Sequence, residues 1–290
     1  MTVLHDLSTR VLDGSGRDLG VLSVHLDGQR CRVGCEFCYL GARADEAAGP
    51  PDLALFEAAL ERLRYREVAV AVSEPGEAAL PALERFAAAA NRRNLPLTVT
   101  TTLSLAAALP LLTDGAARAN LSVDPRKGAV DPRRIGELVR RLRERRGDRP
   151  LDVVLIVSLI TPEFAARLID GGLLAELVEL ADVDKVALNA LKPPPAWCDR
   201  AFWLRALGRL APLLERSLDR RLFLDCYVAA RILGLGGCPA RADLSPAQGG
   251  VAFRSCVYQP APDFTVGDAG ELESRLRGFV APPVCPFPIV

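Results

Sequence analysis

The order of apolar runs constrains the fold of this chain more than any other feature. Short, nearly continuous runs rich in Val, Ile and Leu alternate with segments of helical periodicity, and the alternation is sustained about six times. The runs are 19–26, 67–73, 95–102, 119–124, 151–160, 184–191 and 222–228, and the helical segments are 53–64, 77–91, 103–112, 133–149, 163–180 and 202–218. Strands without a polar face belong to a sheet covered on both sides, which implies parallel strands with helical, right-handed crossovers. Pro162 stands where the first turn of a helix accepts it. An α/β barrel, full or partial, fits this order better than an open doubly wound sheet. From about Gly234 the texture changes: Gly, Pro and Cys become dense, and periodicity fades except over 271–276. The expected organisation is a barrel over 1–225 and a C-terminal extension over 226–290.

The chain has 290 residues, half of them apolar, a length that suits one barrel and a small appendage. Lys+Arg and Asp+Glu both number 36, so the basic footprint of a nucleic-acid binder is missing. A local cluster holds Arg133, Arg134, Arg140, Arg141, Arg143, Arg145, Arg146 and Arg149, interleaved with Ile135, Leu138, Val139 and Leu142. This reads as the solvated face of an amphipathic helix. The N-terminal residues carry no basic leader followed by an apolar core, and no run reaches the ~18 apolar residues of a membrane span. A cytoplasmic protein without membrane contact is expected. Thiols stay reduced there, so the eight cysteines read as metal ligands or catalytic groups rather than a disulfide framework.

Cys31, Cys35 and Cys38 have C-x3-C-x2-C spacing just after the first strand. Thiolates packed this densely gather around one metal centre, either zinc or iron–sulfur. A structural zinc site needs a fourth ligand, for which His25 is near enough to keep the option open. Ferredoxins use C-x2-C-x2-C with a further cysteine, a different spacing. With Phe37 before the third cysteine and Tyr39 after it, the loop resembles the signature of the radical S-adenosylmethionine (radical SAM) family. The resemblance implies a partial (β/α)6 TIM-like barrel. It implies that Cys31, Cys35 and Cys38 ligate a [4Fe-4S] cluster whose fourth iron takes the amino and carboxylate groups of S-adenosylmethionine. It also implies reductive cleavage of that cofactor to a 5′-deoxyadenosyl radical that abstracts a substrate hydrogen, with a flavodoxin- or ferredoxin-type reductant.

Further positions follow the same resemblance. Ser73, Glu74 and Pro75 stand where the family has G-G-E-P against the cofactor amino group, with Val72 and Ser73 replacing the glycines; an ordinary strand-to-helix turn is the alternative. Ser122 and Asp124 lie on the strand that resembles the ribose-contacting one, and strand alternation puts them on one face. Asp124, followed by Pro125, could equally cap a turn. Ser158 and Asn189 are candidates for lining the cofactor or substrate cavity. Among 36 basic residues only Lys127, Lys185 and Lys192 are lysines. Lys127 and Lys192 lie just past strand C-termini, where barrel active sites form, and either could bind a substrate carboxylate or phosphate; exposed loop lysines are the plainer reading.

Cys238 and Cys256 flank a Gly-bearing hairpin that resembles the auxiliary-cluster segment of radical SAM proteins with SPASM or Twitch extensions. The resemblance makes residues 226–290 a small Fe–S-binding extension, in which Cys238, Cys256 and Cys285 hold a second cluster with Cys226 as the fourth ligand. Buried thiols or zinc are the alternatives. Cys198, beside Trp197, is expected to pack or stay unligated. The function implied is a radical SAM enzyme acting on a small molecule, with peptide maturation second. A non-catalytic electron-transfer Fe–S protein and a zinc-stabilised binding protein are the readings of other classes.

Overall fold

The computed structural model describes residues 19–25, 53–62, 65–72, 79–106, 109–127, 130–217, 221–234, 242–247, 250–256, 258–282, 285 and 287. The chain is α/β and mostly parallel, with the alternation the apolar runs predict. It forms two compact units, Met1–Val99 with Pro239–Pro282 and Thr100–Cys238 with Pro283–Val290. This division falls elsewhere than at residue 225.

In the first unit, β1 (Val21–His25) pairs in parallel with β2 (Glu67–Ala71), and α1 (Leu53–Arg62) lies between them in sequence. α2 (Ala79–Arg92) leads to β3 (Leu97–Thr102), which gives its first half to this unit and its second half to the other. Val68, Val70, Val72, Phe56 and Phe86 are buried, and the two phenylalanine rings meet edge to face at 5.3 Å. The other side of β1 is not an edge. β8 (Ala242–Ala247) pairs with it in parallel, and β9 (Gly250–Arg254) and β10 (Phe264–Val266) extend the ladder antiparallel. The C-terminal segment thus contains three strands, two of them forming the expected Gly-bearing hairpin, and α9 (Ala269–Gly278), which covers the periodic stretch 271–276 and is capped by Asp268, whose carboxylate accepts from the amides of Gly270 and Glu271. Gly250 opens β9 because the backbone leaves no room: a Cβ there would stand 2.1 Å from the Val266 carbonyl oxygen.

In the second unit, β4 (Arg118–Val123), β5 (Asp152–Ser158), β6 (Lys185–Asn189) and β7 (Leu222–Leu224) run in parallel in that order. β7 is the edge strand, so the barrel is partial. Two helical segments of the sequence split. Residues 103–112 become α3 (Leu103–Ala106) and α4 (Pro110–Asp114), because Pro110 opens a new helix. Residues 163–180 become α6 (Pro162–Ile169) and α7 (Leu173–Val178), because Gly172 takes a left-handed φ of 75°. Between β4 and β5, α5 (Pro132–Arg146) buries Ile135, Val139 and Leu142 and turns its arginines outward. Arg140 pairs with Glu144 at 2.7 Å, and Arg143 with Asp184 at 2.6 Å. α8 (Arg200–Ser217) precedes β7.

Burial alternates along these strands. Ala119, Leu121, Val123, Val153, Leu155, Val157, Val186 and Leu188 are fully buried, while Asn120, Ser122, Ile156, Ser158, Ala187 and Asn189 are half-buried. One sheet face carries the hydrophobic core, and the other is left partly open. We expect Leu155→Ala, which empties the centre of the sealed face, to lower stability by about 2–5 kcal/mol in urea unfolding. Ser122→Ala on the open face should cost under about 0.5 kcal/mol.

Candidate functional site

The half-open face of β4–β6 gathers the polar candidates of the second unit. Ser122 stands in register with Ile156 and Ile156 with Ala187, and one row further on Ser158 is paired with Asn189. Asn120 donates to Thr100 Oγ1 at 3.2 Å. Near the strand starts, Arg118 and Asp152 close the row with an ion pair at 2.7 Å. Toward the strand C-termini the face thus offers neutral donors and acceptors at Ser122, Ser158 and Asn189, beside Ile156 and Ala187, while its charged residues Arg118, Asp152 and Lys185 stand at the strand starts.

Asp124 follows β4 and is buried, and its carboxylate is engaged within its own turn. It accepts from the Arg126 amide at 3.0 Å and from Arg126 Nε at 2.9 Å, and it also takes the Arg126 terminal nitrogen. This is the capping role that Pro125 suggests. Lys127 closes the short 3-10 turn Pro125–Lys127.

Lys192, a candidate for meeting a substrate anion, is paired with Asp225 at 2.6 Å, the two side chains being 1% and 7% exposed. The same Asp225 oxygen accepts from the Ala190 amide at 3.0 Å, and the other oxygen accepts from the Val228 amide at 2.9 Å. Asp225 therefore ties the end of β6 to the turn after β7. It also explains why the run 222–228 is a strand only through Leu224: capping by Asp225 draws the following residues into a helical turn. Sequence reasoning passed over Asp225. The available signal was a carboxylate at the end of an apolar strand.

Cys31, Cys35, Cys38, Tyr39, Ser73, Glu74, Pro75 and Cys238 lie outside the described residues. Cys226 and Cys256 are half-buried, Cys285 is buried, and none of them forms a disulfide. Among the described residues, no three His, Cys, Asp or Glu side chains are gathered in a way that could hold a metal ion. Cys198 is fully buried. Burial pushes its thiol up to about 12; Trp203 beside it pulls the other way, and Asp225 and Asp199 raise it further.

No protein-family model matches the chain, and no curated protein matches it in sequence. Solved structures do resemble it in fold. Native anSMEcpe with bound AdoMet (S-adenosylmethionine) superposes with a TM-score of 0.56 at 13% identity, over 89% of this chain and 80% of that one. Native anSMEcpe with bound AdoMet and the Cp18Cys peptide gives 0.53 at 13% identity, over 89% and 79%. Histidine-tagged anSMEcpe with bound AdoMet gives 0.55 at 12% identity, again over 89% and 79%. These likenesses establish a shared fold.

Removing one member of the Lys192–Asp225 pair leaves a buried charge without its counter-ion. We expect Asp225→Ala to lower stability by about 3–5 kcal/mol, and the double substitution Lys192→Met/Asp225→Ala to recover part of that loss. Urea unfolding of the single and double variants measures the coupling.

Proposed function

We propose that this chain is a radical SAM enzyme. The observation that carries the reading is the fold shared with anSMEcpe, a radical SAM enzyme with bound AdoMet, in a chain whose C-x3-C-x2-C loop follows its first barrel strand. Cys31, Cys35 and Cys38 would hold the [4Fe-4S] cluster, which with S-adenosylmethionine bound supplies the 5′-deoxyadenosyl radical for hydrogen abstraction. The chain's own residues supply binding and orientation. Ser122, Ser158 and Asn189 offer neutral hydrogen-bonding groups on the half-open face, a donor set suited to a nucleoside and to polar substrate groups. The backbone at Ser73, Glu74 and Pro75 would meet the cofactor amino group, and Tyr39 would close the cluster loop against it.

A peptide substrate gains support from the solved structure that holds the Cp18Cys peptide beside AdoMet. A small-molecule substrate is the other choice within the same reading. Cys238, Cys256 and Cys285, with Cys226, would hold a second cluster; no step is assigned to it.

The anaerobically reconstituted protein, reduced with dithionite and given S-adenosylmethionine, should release 5′-deoxyadenosine. Cys31→Ala, Cys35→Ala and Cys38→Ala should each abolish that release. Cys238→Ala or Cys256→Ala should lower the iron content by about half while sparing some cleavage. Zinc without iron would remove the proposal, and iron without cleavage would move it to an electron-transfer protein.

A further inference from the structure

The helical layer of the second unit holds a cavity that the function proposed above does not use. α6 and α8 follow β5 and β6, which are parallel neighbours, so the two helices run side by side in the same direction. They face each other with Ala165, Ala166 and Ala206, whose methyl groups leave open the space that larger side chains would fill. The cavity so formed has a volume of about 200 Å³. Pro162 and Ile169 add apolar wall along α6, and Trp197 and Phe202, edge to face at 5.4 Å, form the wall around the start of α8. Both rings are half-buried. Among the described residues no strand side chain lines the cavity, so it stands apart from the half-open face.

The charged groups of the wall do not balance. Asp170, just past the end of α6, forms an ion pair with Arg209 of α8. Arg205 lies one turn earlier on the same side of α8 and makes no ion pair with a carboxylate among the described residues, which run without a gap from 130 to 217. The acids nearest to it in the two elements are turned to other work. Asp199 caps α8, accepting from the Phe202 amide at 2.6 Å, and Glu163, in the first turn of α6, is exposed and outside the cavity wall. Two arginines at i, i+4 repel each other, and Asp170 relieves only one of them. An apolar cavity thus carries a surplus positive charge at its rim.

We infer that this cavity binds a compact aromatic monocarboxylate. The ring enters over Ala165, Ala166 and Ala206, where it extends the edge-to-face array of Trp197 and Phe202, and the carboxylate takes the planar fork of Arg205. Size sets the class of ligand. The cavity has room for about seven waters at ~30 Å³ each. That is below the ~300 Å³ at which sites for drug-sized ligands begin, so a single ring with a short acidic arm fits and a nucleoside cofactor does not. Charge sets the anion. One guanidinium without a carboxylate matches one acid, whereas a phosphate brings a charge of about −1.5 to −2. The Asp170–Arg209 pair spans from α6 to α8 at one end and Trp197 stands at the other, which favours a compact ligand over a peptide helix laid along the groove. The site is additional to the radical SAM reading and does not rest on it.

The test is ligand-observed NMR on the full-length chain, without reductant or S-adenosylmethionine. The probes are phenylacetate, the neutral phenylacetamide and the capped peptide acetyl-Phe-Asp-Gly-amide. At low salt we expect phenylacetate to bind about fivefold more tightly than phenylacetamide, a modest ratio because Arg205 is exposed and water screens its charge. Arg205→Met should remove that preference and Arg205→Lys should keep part of it. Ala166→Leu, which fills the cavity from its exposed wall, should weaken both small probes by about tenfold or more. Circular dichroism confirms that the variants fold. Equal binding of acid and amide by the wild type overturns the inference. So does a folded Arg205→Met variant that keeps the preference, or a folded Ala166→Leu variant that binds both probes as the wild type does. Tighter binding of the capped peptide than of phenylacetate also overturns it, in favour of a docking surface for an acidic protein segment; weaker peptide binding supports it. If Ala166→Leu does not fold, the wild-type preference and Arg205→Met decide.

Discussion

Parallel strands must bury their backbone polar groups in a ladder and cover both faces of that ladder, and the second unit of this chain meets the requirement unevenly. Val153, Leu155 and Val157 on β5, with Leu121 and Val123 on β4 and Val186 and Leu188 on β6, are sealed from water. Their neighbours Ser122, Ser158, Ala187 and Asn189 are not. Because side chains alternate strictly, each residue added to the sealed side brings one to the open side. The hydrophobic core and the candidate site are therefore two faces of the same strands, and the rigidity of one positions the other.

This relation explains which parts of the fold were legible in the sequence. β4, β5 and β6 were visible because their sealed residues are Val, Leu and Ala and their charged residues, Arg118, Asp152 and Lys185, stand only at the strand starts, leaving nearly unbroken apolar runs. The two helix breaks had local signals in Pro110 and the Gly171–Gly172 pair, but periodicity on either side masked them. β8 had no local signal. Its sequence, ADLSPA, contains Asp, Ser and Pro, and it is a strand because β1 presents an edge to it: Ser23 stands opposite Asp243, far away in the chain. Pairing over such a separation is decided by the edge that needs covering rather than by propensity.

The same limit applies to the site. Ser122, Ser158 and Asn189 could be named because strand alternation puts them on one face. Asp225 could not, because its partner Lys192 lies 33 residues earlier. Lys192 and Lys185 look alike in the sequence, each close to an end of β6. Their difference is spatial: Lys192 meets the oxygen of Asp225 at 2.6 Å, whereas Lys185 meets the face of Phe223. A carboxylate partner turns the first lysine into a tie between strand ends, and the second rests against an aromatic ring.

The cysteines can be sorted by a related argument. Metal ligation requires the thiolate, so a site that disfavours the thiolate disfavours the metal. Cys198 is such a site: it is sealed from water, and its thiol is raised to about 12 by burial first and by Asp225 and Asp199 in addition. Binding a metal there would require displacing the packing around Trp203 and placing a thiolate beside two carboxylates. Cys226, two positions beyond the end of β7, and Cys256, two beyond the end of β9, are only half-buried. Strand ends fix the backbone while leaving the side chain at the margin of the packed interior, which sets Cys226 and Cys256 apart from the sealed Cys198 and from Cys285, which is buried as well.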